Sequence, residues 1–249
     1  MGDDKKLAVR FESVSKAFGK NAVLDNVSFH VGYAEAFCLL GRSGTGKSVT
    51  LKLMIGLLKP DKGEIFIEDQ EITHLNEEDL SEVRKKMGFL FQNAALFDSI
   101  SVGENLAFPL RRHTKKSKEE IDRIVRETLG QVGLEKDRDK MPADLSGGMR
   151  KRAGLARALV LNPSILLIDE PSSGLDGITA GEIDALLLDL KSKQQRTLVV
   201  VTHDPVGARR FADRLGVLDG GRLTACGTPQ ELENNGNETV RELVAIPKP

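Results

Sequence analysis

Cysteine is scarce. Only Cys38 and Cys226 occur in 249 residues, far apart and without metal-ligand spacing, so neither a disulfide framework nor a zinc site is suggested and a reducing cytoplasm fits. An excess of one charge sign is also missing: the formal net charge is -1 and the pI about 6.5. No global basic field draws the chain to nucleic acid or anionic lipid, and any such partner must be recognised locally. No stretch nears the ~20 apolar residues that a membrane span requires, and the first residues, MGDDKKLAVRFESV, lack the apolar core of a signal peptide. If the protein works at a membrane, another chain does the spanning. Internal repeats and low-complexity segments are absent too. What remains is the composition of an ordinary soluble protein, long enough for one large domain or two small ones and for a sizeable core.

Short β-type runs are present at LAVRFESV, NVSFHV, AFCLL, EIFIE, MGFLFQ, SILLIDE, TLVVVTHD and RLGVLDG, several separated by helical patterns, which predicts an α/β fold. ILLI and LVVV are continuously apolar, as in strands covered on both faces. The early strands alternate more and predict an antiparallel flank. Between Asn93 and Asn162 the character shifts to helix: Ile121, Ile124, Val125, Leu129 and Val132 keep helical spacing after the charged run RRHTKKSKEE. This predicts a helical subdomain over 93–161, inserted into an α/β core made of 1–92 and 162–232. Ile183, Leu186, Leu187 and Leu190 share one helix face, as core packing requires. The tail, 233–249, predicts a short helix with a loose, proline-bearing end.

One stretch carries chemistry on its own. GRSGTGKSVT, residues 41–50, lies between the apolar run AFCLL and the leucine-spaced VTLKLMIGLL, so it is a strand, a glycine-rich turn and a helix. Gly41, Gly44 and Gly46 let the backbone curl with its N–H groups turned inward, a nest that fits a polyphosphate. The helix opening near Lys47 adds partial positive charge, Lys47 reaches the outer phosphates, and the Ser48 hydroxyl is placed for Mg²⁺. ATP or GTP binding follows.

A second constellation comes later. In LSGGMRKRAGLARAL, from Leu145, Ser146, Gly147 and Gly148 at a helix start make another anion site. ILLIDEPSSGLD follows: the strand ends in Asp169, placed to hold Mg²⁺ directly or through water, and in Glu170, placed to polarise an attacking water. TLVVVTHD puts His203 at another strand end.

This order of motifs resembles the nucleotide-binding subunit of an ABC transporter over nearly the whole chain, which implies a single nucleotide-binding domain over 1–249 with a P-loop NTPase (RecA-like) core. The Walker A loop matches Gly41 to Ser48, the Q-loop glutamine Gln92, the signature Leu145 to Met149, Walker B Ile165 to Asp169 with catalytic Glu170, the D-loop Ser173 to Asp176 and the switch histidine His203. The resemblance implies ATP contacts at Gly41, Ser43, Gly44, Thr45, Gly46, Lys47, Ser48, Val49, Ser146, Gly147, Gly148, Asp169 and Asp176, with Phe18 stacking on adenine. Ser48, Gln92 and Asp169 are the implied Mg²⁺ ligands, and Glu170, His203, Gln92 and Lys47 the catalytic set. In this family the signature of one subunit caps the nucleotide held by the Walker A loop of another, so a homodimer or a pairing with a similar subunit is implied.

Met149 replaces the glutamine that usually ends the signature, Ser172 a common threonine and Gly177 a frequent proline. With LFQNAALFDSISVGENLAFPLR, the methionine signature resembles the bacterial lipid-trafficking branch, the Mla type that works with MCE proteins. That implies two copies on the cytoplasmic face of the inner membrane, beneath permease subunits, with an MCE lipid-binding protein beyond and a permease helix received near Phe97 and Val102. RRHTKKSKEE is better explained as a solvated face than as a lipid contact. A motor for another solute such as an amino acid stays open, as do, with less support, a soluble ABC ATPase and a P-loop kinase.

Overall fold

The structure, a computed structural model, describes residues 6–245. In chain order its elements are β1 (Leu7–Phe18), β2 (Asn21–Gly32), β3 (Ala36–Leu40), α1 (Lys47–Met54), β4 (Lys62–Ile67), β5 (Gln70–Glu71), α2 (Glu77–Lys85) and β6 (Met87–Leu90). The insertion carries α3 (Val102–His113), α4 (Lys118–Gln131) and α5 (Gly147–Leu159). Then follow β7 (Ile165–Asp169), α6 (Gly177–Ser192), β8 (Thr197–Thr202), α7 (Pro205–Phe211), β9 (Arg214–Asp219), β10 (Arg222–Gly227), α8 (Pro229–Glu233) and α9 (Glu238–Val244). None of the described helices is long and apolar enough to cross a membrane.

Two sheets result. A six-stranded sheet in the order β10-β9-β3-β8-β7-β6 is parallel from β9 to β6, with β10 antiparallel at its edge. A four-stranded sheet, β2-β1-β4-β5, is antiparallel throughout and forms the expected flank. The continuous apolar runs divide by face, since successive strand residues point to opposite sides. Phe37 and Leu39 of β3, Ile165 and Leu167 of β7, and Val199 and Val201 of β8 pack with the antiparallel sheet and α1. Cys38, Leu40, Leu166, Ile168, Leu198 and Val200 pack on the other side with α5, α6 and the C-terminal helices. A strand sandwiched this way has no polar face, which is why alternation is missing there and present in β1 and β2.

The inserted helices have a core of their own, built from Val102, Leu106 and Leu110 of α3, Ile121, Val125 and Leu129 of α4, and Ala153 and Ala156 of α5. α5 also sends Leu155 and Leu159 into the main core, so it serves both bodies. α3 and α4 start on Ser101 and Ser117, whose side chains accept from the amides of Glu104 and Glu120. RRHTKKSKEE spans the α3–α4 connection rather than one helix face. α1 is shorter than VTLKLMIGLL suggests: it stops at Met54, and Gly56 at φ +67° turns the chain away, its carbonyl and that of Ile55 taken by Arg84. The tail docks, with Val240 and Val244 of α9 buried in the main core. Its proline-bearing end lies outside the described residues.

Candidate functional site

The segments that follow β3, β6 and β7 converge on one cavity of about 330 Å³. Its floor is the glycine-rich turn. Gly44 and Gly46 have φ of +82° and +101°. A β-carbon at Gly46 would lie 2.8 Å from Leu24 Cδ2 and 2.9 Å from the Val23 carbonyl oxygen, so only glycine lets the turn press on β2. No side chain caps the start of α1, which leaves its first N–H groups for a ligand. Lys47, buried, donates from Nζ to the carbonyls of Gly41 (2.8 Å) and Arg42 (3.0 Å). Thr45 ties the turn by donating Oγ1 to the Arg42 carbonyl.

Ser43, Gly44, Gly46, Lys47, Ser48 and Val49 line this cavity together with Gln92 and Glu170. Six of the eight residues expected to form the nucleotide-holding turn therefore face it, as do Gln92 and Glu170, the glutamine and carboxylate expected to act on the phosphate. Gly41 and Thr45 shape the turn from behind. Val23 also lines the wall; nothing in its sequence neighbourhood marks it, because it arrives by strand pairing.

Of the acidic pair, Glu170 lines the cavity, and Asp169 meets it through the lining residue Ser48. Asp169, 5% exposed, accepts from Ser48 Oγ at 3.0 Å. Burial pushes its carboxyl up, the Ser48 hydrogen bond opposes that, and the adjacent Glu170 charge adds to the rise. Glu170 has φ +47°. Its Oε1 lies 3.6 Å from Lys47 Nζ. Its Oε2 accepts from Thr202 Oγ1 at 3.1 Å and meets His203 Nδ1 at 2.8 Å. One carboxylate thus sits between a buried ammonium and an exposed imidazole on the wall of a cavity, within reach of a water molecule held there. Two contributors went unnoticed in the sequence. Thr202, next to His203, holds Glu170. Lys151 of α5 donates from Nζ to the carbonyls of Gln92 (2.5 Å) and Glu170 (2.7 Å).

Ser146, Gly147, Gly148, Asp176 and Phe18 do not line the cavity. Ser146 caps α5 through the Met149 amide. Gly147 and Gly148 face Leu175 and Thr179, and a β-carbon on Gly148 would fall 2.3 Å from Thr179 Cγ2. Asp176 caps α6, accepting from the amides of Ile178 and Thr179 and from Thr179 Oγ1. Those bonds hold its carboxyl below the usual range. Phe18 ends β1 half-exposed, with Lys16 Nζ 5.6 Å from its ring centre.

Among the described residues, no three His, Cys, Asp or Glu side chains are grouped to hold a metal ion. The hydroxyl and carboxylate paired at Ser48 and Asp169 are hard oxygen donors beside a phosphate nest. That fits Mg²⁺, which uses few protein ligands and takes the rest from phosphate and water.

Residues 24–173 match the ABC transporter family. The chain is 43% identical over 238 residues to the probable ribonucleotide transport ATP-binding protein mkl of Mycobacterium leprae, covering 96% of this chain and 69% of that one. It spans about two thirds of the length of the mycobacterial relatives it matches. It is 40% identical over 214 residues to the intermembrane phospholipid transport system ATP-binding protein MlaF of Haemophilus influenzae, covering 86% and 81%. It is 38% identical over 225 residues to the methionine import ATP-binding protein MetN of Mesorhizobium japonicum, covering 90% and 61%. Among solved structures, the dimeric post-hydrolysis state of the ATP-binding cassette MJ0796 bound to ADP and Pi superposes with TM-score 0.82 at 34% identity, covering 88% of this chain and 98% of that one.

Proposed function

This chain belongs to the ABC transporter family, and from that premise we propose that it is the ATP-hydrolysing subunit of a transporter that moves phospholipid or another lipid through a separate permease. The observation that carries the hydrolytic part is the position of Glu170, buried between Lys47 and His203 on the wall of the cavity that Gln92 and the glycine turn also line.

In this reading the triphosphate lies on the Gly44–Gly46 nest, with Lys47 moving from the Gly41 and Arg42 carbonyls to the outer phosphates. Ser48 and Asp169, with Gln92, would hold Mg²⁺, which would offset negative charge on the phosphates when bound. Glu170 takes a proton from the attacking water as its oxygen bonds to the γ-phosphorus and the bond to ADP breaks. Thr202 keeps the carboxylate aimed, and His203 orients the γ-phosphoryl oxygens.

The separation of Ser146–Gly148 from the cavity supports the second half of the proposal: these residues serve the nucleotide of a second copy, as does Asp176. The dimeric state of the similar cassette agrees. ATP then bridges two protomers, and hydrolysis releases the bridge. Phe18 is the candidate adenine platform. The domain division proposed is an α/β core of 1–92 and 162–232, a helical subdomain of 93–161 and a tail of 233–249, with the chain peripheral on the cytoplasmic face of the inner membrane and an MCE-type lipid-binding protein in the same complex. Lipid as cargo rests on the methionine-ended signature and the phospholipid-transport relative; the methionine-import relative favours a second reading, a solute importer.

Glu170→Gln tests the mechanism. Phosphate release by the intact complex falls at least about a hundredfold while ATP binding and ATP-driven dimerisation persist; turnover close to that of the native chain would refute the assignment. Lipid and MCE protein copurifying with the complex would support lipid cargo, and a bound amino acid with a soluble solute-binding partner would replace it.

A further inference from the structure

α5 presents a stripe to one short segment of chain. Lys151, Gly154 and Arg157 follow one another at i, i+3 spacing, so they are neighbours on the helix surface, and all three meet residues 90–95. Lys151 donates to the Gln92 carbonyl at 2.5 Å. Gly154 leaves room for that segment, since a β-carbon there would sit 2.9 Å from Ala94 Cβ and 2.9 Å from Leu90 Cδ1. Arg157 donates to the carbonyls of Ala94 (3.0 Å) and Ala95 (2.6 Å), two residues with φ of +58° and +51°. The segment behind Gln92 is thus pinned in an uncommon backbone conformation by cations from a single helix.

Lys151 does more than Arg157, because the same ammonium also donates to the Glu170 carbonyl at 2.7 Å. It is 6% exposed and forms no ion pair among the described residues. Burial lowers its pKa, while the charges of Asp169 and Glu170 oppose that fall. A buried cation answered only by carbonyl oxygens is costly unless those oxygens have to be held. Here they belong to Gln92 and Glu170, two residues that line the same cavity. The helix that carries Lys151 begins one turn earlier at Ser146, and its first residues abut Leu175 and Thr179.

Resting on the hydrolytic reading above, we propose that Lys151 is a positioning residue that fixes Gln92 and Glu170 to α5, so that engagement of the α5 tip by a second copy's nucleotide sets the geometry of this chain's own hydrolytic groups. A helix is stiff along its axis, and a shift at Ser146 is carried to Lys151 within two turns. The groups held are main-chain carbonyls, and the link to them runs through one buried side chain, that of Lys151.

The test uses Lys151→Met, similar in length with no donor, and Lys151→Gln, which returns an N–H donor. Hydrogen exchange is followed in the nucleotide-free full chain, and ATP hydrolysis in the intact complex. For Lys151→Met we expect faster exchange at 91–95 and 170–173 with β8 and α6 unchanged. We also expect a drop in kcat of roughly tenfold with KM for ATP within about twofold and partial recovery in Lys151→Gln. Native exchange in both segments, or native kcat in Lys151→Met, overturns the proposal. So does a uniform rise in exchange across the chain in both variants, which marks a packing residue. If the native complex releases no phosphate, the hydrolytic reading fails on its own and the exchange measurement still decides whether Lys151 is an anchor.

Discussion

Asp184 offers the sharpest test of the packing behind the site. It lies on α6, 3% exposed, facing α7. Arg210 donates to its Oδ2 at 3.2 Å, its Oδ1 is buried without a hydrogen-bond partner, and the Asp204 carboxylate crowds the same spot: a β-carbon on Gly207 would come 2.8 Å from Asp204 Oδ2 and 3.1 Å from both Asp184 oxygens. Burial pushes the Asp184 carboxyl up from 3.8 to about 6, with Arg210 opposing the rise and Asp204 adding to it. At about 1.4 kcal/mol per tenfold change in acidity, ionising it costs the fold about 3 kcal/mol relative to the unfolded chain. The folded protein binds this proton more tightly than the unfolded one. The favourable contribution is therefore complete below the unfolded value and is lost as pH rises through about 6. Asp184→Asn keeps the shape and removes the proton. Urea unfolding of native and variant chains between about pH 4 and about pH 7.5 should show the native chain losing about 2 kcal/mol relative to Asp184→Asn across that interval. A difference that stays flat, or grows in favour of the native chain at high pH, would refute the claim that burial outweighs Arg210 at this position.

Other perturbations reach the site more directly. Gly46→Ala forces a side chain into a left-handed conformation against Leu24 and the Val23 carbonyl, and is expected to lower stability by about 1–3 kcal/mol and to abolish ATP binding in a calorimetric titration. Asn105, buried, accepts from the Phe97 amide and donates to the carbonyls of Phe97, Ile100 and Ser101. Asn105→Ala should cost about 2–3 kcal/mol in chemical unfolding and loosen the turn that carries Phe97. Ser146→Ala removes the α5 cap and should cost about 1 kcal/mol. In the proposed dimer Ser146 serves the nucleotide of a second copy, so this variant should also impair ATP-driven dimerisation more than ATP binding by the monomer.

The readability of this chain follows from where its signals are local. The Gly41–Ser48 turn, the strands β3, β7 and β8 and the acids at the end of β7 are contiguous, and each imposes a recognisable physical requirement: positive φ, burial on two faces, a carboxylate at a strand end. Elements that were not anticipated are held by their neighbours. In α2 only Leu80 and Val83 are buried, too few to mark a helical period, and β10 alternates between exposed and half-buried residues at a sheet edge. Val23, Thr202 and Lys151 carry no motif of their own. Val23 arrives through strand pairing, Thr202 through a hydroxyl that any strand end could offer, and Lys151 in the middle of a basic run that resembles a solvated face. The sequence also cannot say that Ser146 and Lys47 face different spaces, because that depends on the packing of α5 between two cores.

The two acids at the end of β7 pose a stereochemical problem that the structure resolves with backbone strain. Neighbouring residues on a strand point to opposite faces, yet Asp169 must reach Ser48 while Glu170 lines the same cavity. β7 ends at Asp169, and Glu170 takes φ +47°, which breaks the alternation and turns the second carboxylate towards Lys47. A non-glycine residue in that region costs on the order of 1–2 kcal/mol. Glycine would relieve the strain but carries no base. The conformation persists because both ends of the residue are held: its N–H donates to the Val201 carbonyl at 2.9 Å and its carbonyl accepts from Lys151. The buried lysine of α5 and the strained glutamate are thus parts of one arrangement, in which the cation holds a backbone turn that sets the Glu170 carboxylate beside Lys47 on the cavity wall.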